Sequence, residues 1–515
     1  MAWRPYSRKE GNALKQKGRL LVVSNRLPVT LSCEEGKWKG CPASGGLVSA
    51  MNPVLKNRGG FWAGWPGTGS GARLTDIRDI LGPVSEESGY RFLPVMLTGE
   101  DVHDFYHGYS NSVLWPLFHD LQSRCDFSPR YWDGYLRSNA KFARVVLRHA
   151  SEEDFIWVND YQLIPLGAML REKQPGLRTS FFLHIPFPSV DVFMKMPRRR
   201  EILDQMTRYS FVCFQTGRDR KNFLDCLKVF HPECRVSGRG HIVKVRLGDR
   251  SFSLGSLPIS IDYQKYSSLG GTKHVVARAK EIRQEIFGEK FILGVDRLDY
   301  SKGIPEKLRG FRRCLELYPE LRERITLHQV VVPSRETVEQ YQALKEEIEL
   351  LISRINGEFS TTRWVPVNWH YGSLSREELA AMYRAADMAL VTSLKDGMNL
   401  VCKEYCACKG REPGVLILSE FAGAALQLAR GAVLVNPYDA DAVAGAVMRA
   451  FFMDDREKKE RMRFLRKSIA RQDVFWWVDN FLRAAAGKKL EDFPEQAIPS
   501  LWPGVADGEE NAPGL

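Results

Sequence analysis

The sequence predicts an α/β protein built from two doubly wound domains. Three observations carry this. Apolar runs of strand length recur along the chain, each ending in polar residues and leading into a helical stretch. The alternation breaks near Pro258 and then repeats in the second half. Finally, Ala385-Ala386-Asp387-Met388-Ala389-Leu390-Val391-Thr392 is followed by Leu394-Lys395-Asp396-Gly397-Met398-Asn399-Leu400 and a helical run, so a glycine turn joins strand to helix. In an open α/β sheet, ligands bind at the carboxyl ends of strands. A helix N-terminus delivered there, with its N–H groups and positive dipole end, suits a diphosphate. Asp396 in the loop and Glu404, about two turns into the helix, suit sugar hydroxyls instead.

The elements follow in order. Residues 20–24 (Leu-Leu-Val-Val-Ser) make a buried-type strand that Asn25-Arg26-Leu27-Pro28 ends. Ala43-Ser44-Gly45-Gly46-Leu47 is a small-residue turn feeding a helix over 48–55, again the phosphate-cradling order of strand, turn and helix. The aromatic-rich segments Phe61-Trp62-Ala63-Gly64-Trp65, Asp104-Phe105-Tyr106-His107 and Val113-Leu114-Trp115-Pro116 suit a sugar, whose C–H face packs on rings. An aromatic core under a long loop is an equal reading for Trp62. Strands at 155–158 and 179–183 end in Asn159-Asp160-Tyr161-Gln162 and in His184-Ile185-Pro186-Phe187-Pro188. The two prolines fix the backbone beside His184, which favours a functional ring there.

A strand at 211–214 follows, and the loosely strand-like 255–262 is the expected exit from the first domain and its hinge. In the second half, strands at 291–295, 325–332, 364–367, 385–392, 415–420 and 432–437 alternate with helices at 305–318, 336–355 and 376–386. The first of these strands ends in Asp296-Arg297-Leu298-Asp299-Tyr300-Ser301-Lys302-Gly303. Arg297 and Lys302 can converge there on one diphosphate, a planar fork and a point charge neutralising a leaving group as its charge develops. Asp439-Ala440-Asp441, the one Asp-x-Asp, precedes a helix and suits N-capping better than metal binding. No catalytic metal and no other cofactor are expected.

Composition excludes several classes. A length of 515 residues allows two to three domains, and 44% apolar with 26% charged residues is an ordinary globular balance. There is no apolar run of membrane-spanning length, and the basic, polar N-terminus has no apolar core of a secretory signal, so a cytoplasmic protein is expected. The net charge of +12 is spread over the chain rather than blocked, which points to a solvated surface with a pull toward anionic sugar phosphates and not to nucleic acid. Ten cysteines show no Cys-x-x-Cys; Cys213, Cys226 and Cys314 lie in apolar runs and read as buried thiols, with Cys402/Cys406 the one spacing worth testing as a ligand pair. Walker A, Gly-x-Gly-x-x-Gly and Gly-x-Ser-x-Gly sequences are absent.

A series of motifs then identifies a family. Ser24-Asn25-Arg26-Leu27-Pro28, Ser44-Gly45-Gly46-Leu47, Leu114-Trp115-Pro116, Asn159-Asp160-Tyr161 and His184-Ile185-Pro186-Phe187-Pro188 occur in order. Val295-Asp296-Arg297-Leu298-Asp299-Tyr300-Ser301-Lys302-Gly303, Arg354-Ile355-Asn356-Gly357, Asp396-Gly397-Met398-Asn399-Leu400-Val401 and Ser419-Glu420-Phe421-Ala422-Gly423 follow. Together, over roughly residues 20–485, they closely resemble the trehalose-6-phosphate synthases of glycosyltransferase family 20. The resemblance implies the GT-B fold, two Rossmann-like domains facing across a cleft. Its expected divisions are a basic extension 1–19, an acceptor domain 20–260, a nucleotide-sugar domain 261–470, a helix 471–487 crossing back, and a disordered tail 488–515.

Carried over by motif, Arg297 and Lys302 would hold the donor diphosphate. Gly46 would approach it, Asp396 and the Gly397-Met398-Asn399-Leu400 backbone would hold the donor glucose, and Glu404 the ribose. His184 would lie at the donor sugar near the reacting carbon. Arg26, Tyr106, Trp115, Asp160 and Arg335 would form the acceptor site, Arg26 and Arg335 taking its phosphate. The implied reaction retains anomeric configuration by a same-face mechanism, moving glucose from a nucleotide-glucose (UDP-glucose first) to glucose-6-phosphate. The partners implied are a nucleotide-sugar donor and a sugar-phosphate acceptor, without nucleic acid or membrane, and with a homo-oligomer left open. No appended phosphatase domain is expected. The family often has His-Asp-Tyr-His where this chain has Asn159-Asp160-Tyr161-Gln162. That departure keeps glucosylglycerol-phosphate and pseudo-disaccharide phosphate synthases open as alternatives. A non-catalytic sugar-phosphate sensor would be expected to lack Arg297, Lys302, Asp396 or Glu404, and all four are present.

Overall fold

The computed structural model describes residues 18–34, 37–42, 48, 51–52, 55, 60–68, 73–334 and 339–487. Two sheets organise them. The first has nine strands in the spatial order Arg91–Pro94, Phe61–Trp65, Leu20–Arg26, Phe155–Asn159, Arg178–Leu183, Phe211–Phe214, Arg250–Ser256, Ile242–Leu247, Arg235–Ser237. The first seven run parallel, and the last two add an antiparallel edge. The second sheet is wholly parallel, in the order Val367–Tyr371, Ile325–Val332, Lys290–Arg297, Met388–Val391, Val415–Ser419, Val433–Val435. Strands in the middle of both sheets are buried on both faces, which is why they read as continuous apolar runs rather than alternating ones. Val29–Glu34 and Lys37–Pro42 form a separate hairpin.

Each sheet has one point where successive strands change direction across it. In the first it lies between Leu20–Arg26 and Phe155–Asn159, in the second between Lys290–Arg297 and Met388–Val391. Ligand crevices form at such switch points.

Helices begin where the sequence supplies caps. Thr216, Ser375, Asp439, Asp454 and Asp473 each accept the backbone N–H three residues on. Asp439 thus has the N-cap duty expected of it, while Asp441 pairs with Arg313. The helix Val474–Ala486 leaves the second sheet and packs on the first. Phe481 stacks on Trp157 at 3.9 Å between ring centroids, and Trp477 meets Phe182 edge-on at 5.0 Å. Among the described residues no helix is long and apolar enough to cross a membrane.

Two expectations need correction, and the structure decides the open choice for Trp62 in favour of the core. The strand predicted at 364–367 starts only at Val367, because Pro366 has no N–H for the ladder and supplies just its carbonyl, to Leu327. The loosely strand-like 255–262 splits into the end of Arg250–Ser256 and an irregular stretch from Leu257 that includes Pro258. Phe61–Trp65 is a buried strand, and Trp62 is core: it is fully buried, and its indole N–H donates to Ser24 Oγ at 2.7 Å. The thiols of Cys213, Cys226 and Cys314 are buried as predicted. That of Cys402 is buried too, and donates to Asn399 O at 3.1 Å.

Candidate active site between the two switch points

The carboxyl ends of the four strands flanking the switch points bring the predicted residues together. On the first sheet, Arg26 ends one central strand and Asp160 follows the other. The Arg26 guanidinium lies 4.4 Å from the centre of the Trp65 ring, and Tyr106 meets the same ring edge-on at 5.9 Å. Gly67, at φ 86°, makes room for Arg26: a Cβ there would lie 2.6 Å from its Nη1. Tyr106 is carried by the helix Val102–Leu114, which is wound in the wide i→i+5 manner, a form that recurs at functional sites.

Asp160 is the strained residue of the site. Its backbone lies at φ 76°, ψ 167°, a region costing a non-glycine residue about 1–3 kcal/mol. The strain aims Oδ1 back into the chain, where it accepts the N–H groups of Tyr161 (3.0 Å) and His184 (3.1 Å). Burial pushes the carboxyl up to about 7, against the pull of these N–H groups and of Arg297 from the other sheet. His184 is oriented by Asn159. The Asn159 Nδ2 donates to Val23 O (3.4 Å) and Trp157 O (3.2 Å), which leaves Oδ1 to accept from His184 Nε2 at 3.0 Å. The ring therefore carries its proton on Nε2 and keeps Nδ1 as an acceptor. Burial pushes its pKa down to about 3, so it is neutral at pH 7.

On the second sheet, Arg297 ends its strand half-exposed, with Nη2 3.9 Å from Asp299 Oδ2. Its guanidinium carbon stands 5.7 Å from the ring centre of Trp115, on the first sheet's side. Lys302 Nζ donates to Asp396 Oδ2 at 2.5 Å. Burial would raise the Asp396 carboxyl, but the Lys302 ammonium beside it prevails and holds it below the usual carboxylate range. Asn399, at φ 83°, bridges the loop and the next helix: Nδ2 donates to Asp396 Oδ2 at 3.3 Å, and Oδ1 accepts from Cys402 N–H at 3.0 Å. Met398 is buried and Leu400 leads into the helix Val401–Cys408. Glu404 Oε1 and Oε2 accept the hydroxyls of Tyr266 (2.9 Å) and Tyr383 (3.0 Å), and burial raises its pKa.

The two halves touch through backbone at Gly397, where a Cβ would sit 2.1 Å from His184 O; within the second half, a Cβ on Gly423 would sit 1.9 Å from Gly397 O. Side chains add to this seam. Lys395 pairs with Asp120, and the Arg124 guanidinium lies 4.8 Å over the Tyr300 ring. Of the expected site residues, the structure brings together Arg26, Tyr106, Trp115, Asp160 and His184 on one side and Arg297, Lys302, Asp396, Gly397, Met398, Asn399, Leu400 and Glu404 on the other. Gly46 and Arg335 lie outside the described residues, as does the tail 488–515.

Sequence reasoning did not find the supporting set. His119 is fully buried, with Nδ1 2.7 Å from Trp115 O, and it feels the charges of Asp299, Lys302 and Asp396; burial lowers its pKa to about 4. Tyr266 comes from a helix remote in sequence from Glu404, and Tyr383 from the helix Arg376–Ala385, which precedes the intervening strand. No local pattern announces such partners, although Asn159 was visible as a departure from the family motif. Among the described residues no group of three or more His, Cys, Asp or Glu side chains could hold a metal.

The chain is similar to known proteins over nearly all of this architecture. It is 39% identical over 468 residues to the alpha,alpha-trehalose-phosphate synthase [UDP-forming] A of Dictyostelium discoideum, covering 90% of this chain but only 62% of that longer relative. It is 40% identical over 474 residues to the trehalose-6-phosphate synthase of Mycolicibacterium smegmatis, covering 90% of this chain and 92% of the relative. A crystal structure of the UDP-forming alpha,alpha-trehalose-phosphate synthase of Burkholderia xenovorans in complex with glucose-6-phosphate superposes with a TM-score of 0.82 at 33% identity, over 91% of this chain and 100% of that one. Its likeness, with two parallel sheets meeting at their switch points, identifies the fold as GT-B. The family model of glycosyltransferase family 20 matches residues 18–487, and the chain belongs to that family.

Proposed function

We propose that this chain transfers glucose from UDP-glucose to glucose-6-phosphate with retention of configuration, giving trehalose-6-phosphate in the cytoplasm. The observation that carries the reading is the meeting of opposite chemistries at the paired switch points. Arg297 and Lys302 come from one sheet and Asp160 and His184 from the other, with Arg297 acting on Asp160 across the gap.

In this reading Arg297 and Lys302 receive the diphosphate and stabilise the charge that develops on its leaving oxygen. Asp396 and the 397–400 backbone hold the donor glucose, with Gly46 beside the diphosphate, and Glu404 holds the ribose. Arg26 and Arg335 take the acceptor phosphate, while Tyr106 and Trp115 wall its ring. Ionised Asp160 accepts a hydrogen bond from an acceptor hydroxyl. His184, neutral and with Nδ1 free of the Asn159 contact, accepts from a donor hydroxyl next to the reacting carbon. The departing phosphate oxygen takes the acceptor's proton as the new C–O bond forms on the same face. Holding both substrates in contact supplies the effective concentration that the step requires.

Release of UDP from UDP-glucose tests this, measured with glucose-6-phosphate, with glycerol-3-phosphate and with no acceptor, each with and without EDTA. Chelator-resistant turnover with glucose-6-phosphate alone is expected. Turnover with glycerol-3-phosphate alone would replace the acceptor assignment by the glucosylglycerol-phosphate reading.

A further inference from the structure

Away from the site, the helix Asp455–Arg471 and the start of the crossing helix Val474–Ala486 border an open hollow of about 490 Å³, with Arg430, Lys467 and Arg471 exposed around it. Part of that helix is charge-matched: Arg456 pairs with Glu460, Lys458 with Asp455 and Arg461 with Glu457. The cations over the hollow are not. Among the described residues, Arg430, Lys467 and Arg471 have no carboxylate within salt-bridge distance, although all three line one concavity. Two aromatic side chains, Phe464 and Trp476, line it with Ser468 and Gln472, and the Arg430 guanidinium lies 5.2 Å over the Phe464 ring.

Three uncompensated cations around one hollow repel one another and favour a multiply charged anion. Aromatic walls favour a ring attached to that anion. We propose that this cavity binds a small phosphorylated metabolite, its phosphate on Arg430, Lys467 and Arg471 and its ring against Phe464 and Trp476. The position gives the ligand a route to catalysis. Trp476 is the immediate neighbour of Trp477, whose ring lies 5.0 Å from Phe182 and 6.1 Å from His184. A ligand held by Trp476 therefore acts on the helix that buttresses the His184 strand end, and occupancy is expected to change turnover.

The test is calorimetric titration of the full chain with AMP, glucose 1-phosphate and inorganic phosphate, with UDP and glucose-6-phosphate saturating. Saturable binding of AMP, or of glucose 1-phosphate, is expected, and which of the two binds tells a nucleotide from a sugar phosphate. Lys467→Glu with Arg471→Glu should weaken that binding at least tenfold and leave UDP affinity unchanged; Lys467→Gln with Arg471→Gln serves if charge reversal impairs folding. Absence of binding by all three probes at millimolar concentration, or binding indifferent to both double variants, would overturn the site. Binding with unaltered turnover would overturn the coupling to the crossing helix.

Discussion

At the scale of single residues, the site depends on groups whose protonation is set by burial and one neighbour. Asp160, raised to about 7, accepts a strong, charge-assisted hydrogen bond only when ionised, so kcat/KM should fall as pH drops below about 7. Asp160→Asn should lower activity by about 10²-fold or more and remove that acidic limb; an unchanged limb would mean another group titrates there. The stability sign runs the other way. A carboxyl raised in the fold binds its proton more tightly than in the unfolded chain, so its contribution is lost as pH rises from about 4 to about 7. Asn159→Leu leaves the Nε2–H of His184 without its acceptor, which should cost about 1–3 kcal/mol in denaturant unfolding and lower turnover. Arg297→Ala should cut kcat by orders of magnitude while leaving the thermal midpoint nearly unchanged, because the side chain is half-exposed and, among the described residues, its nearest carboxylate oxygen is 3.9 Å away. Residues of this kind were legible because they stand at strand ends in recognisable motifs. Their neighbours were not: the Asn159–His184 bond joins two strands, and only the fold puts them side by side.

At the scale of elements, glycine turns and a short helix decide how closely the two sheets meet. Gly397→Ala would drive a methyl group into the His184 carbonyl, so the loop must retreat. We expect a loss of about 1–3 kcal/mol in stability, with a raised KM for UDP-glucose; a wild-type KM would show that the loop is free to shift. Glu404→Gln keeps the shape but loses the charge that gathers Tyr266 and Tyr383, and should raise donor KM with little effect on kcat. The alternation of strands and helices could be followed in sequence wherever the strands are buried on both faces, as at Phe155–Asn159 or Val415–Ser419. It was missed in two other places. Ile242–Leu247 alternates buried and exposed residues, the period-2 pattern of a half-covered strand rather than a continuous apolar run, and the widely wound Val102–Leu114 does not follow a 3.6-residue repeat.

At the scale of the molecule, the crossing helix ties one sheet to the other. Trp477 is fully buried against Phe182 and Trp157, so Trp477→Ala should destabilise the protein by about 3–5 kcal/mol and separate the unfolding transition into two steps. A single sharp transition of unchanged midpoint would contradict that role. The resemblance implied this helix, but nothing in its own sequence says which distant strands it meets. The arrangement also has a consequence for synthesis. On the ribosome, the face formed by Trp157, Phe182 and Phe211 is made well before its cover, Trp477 and Phe481. At ~5–20 residues per second the interval is tens of seconds. During that time the nascent first sheet presents an aromatic surface suited to chaperones, and a chain stalled before Trp477 would display it indefinitely.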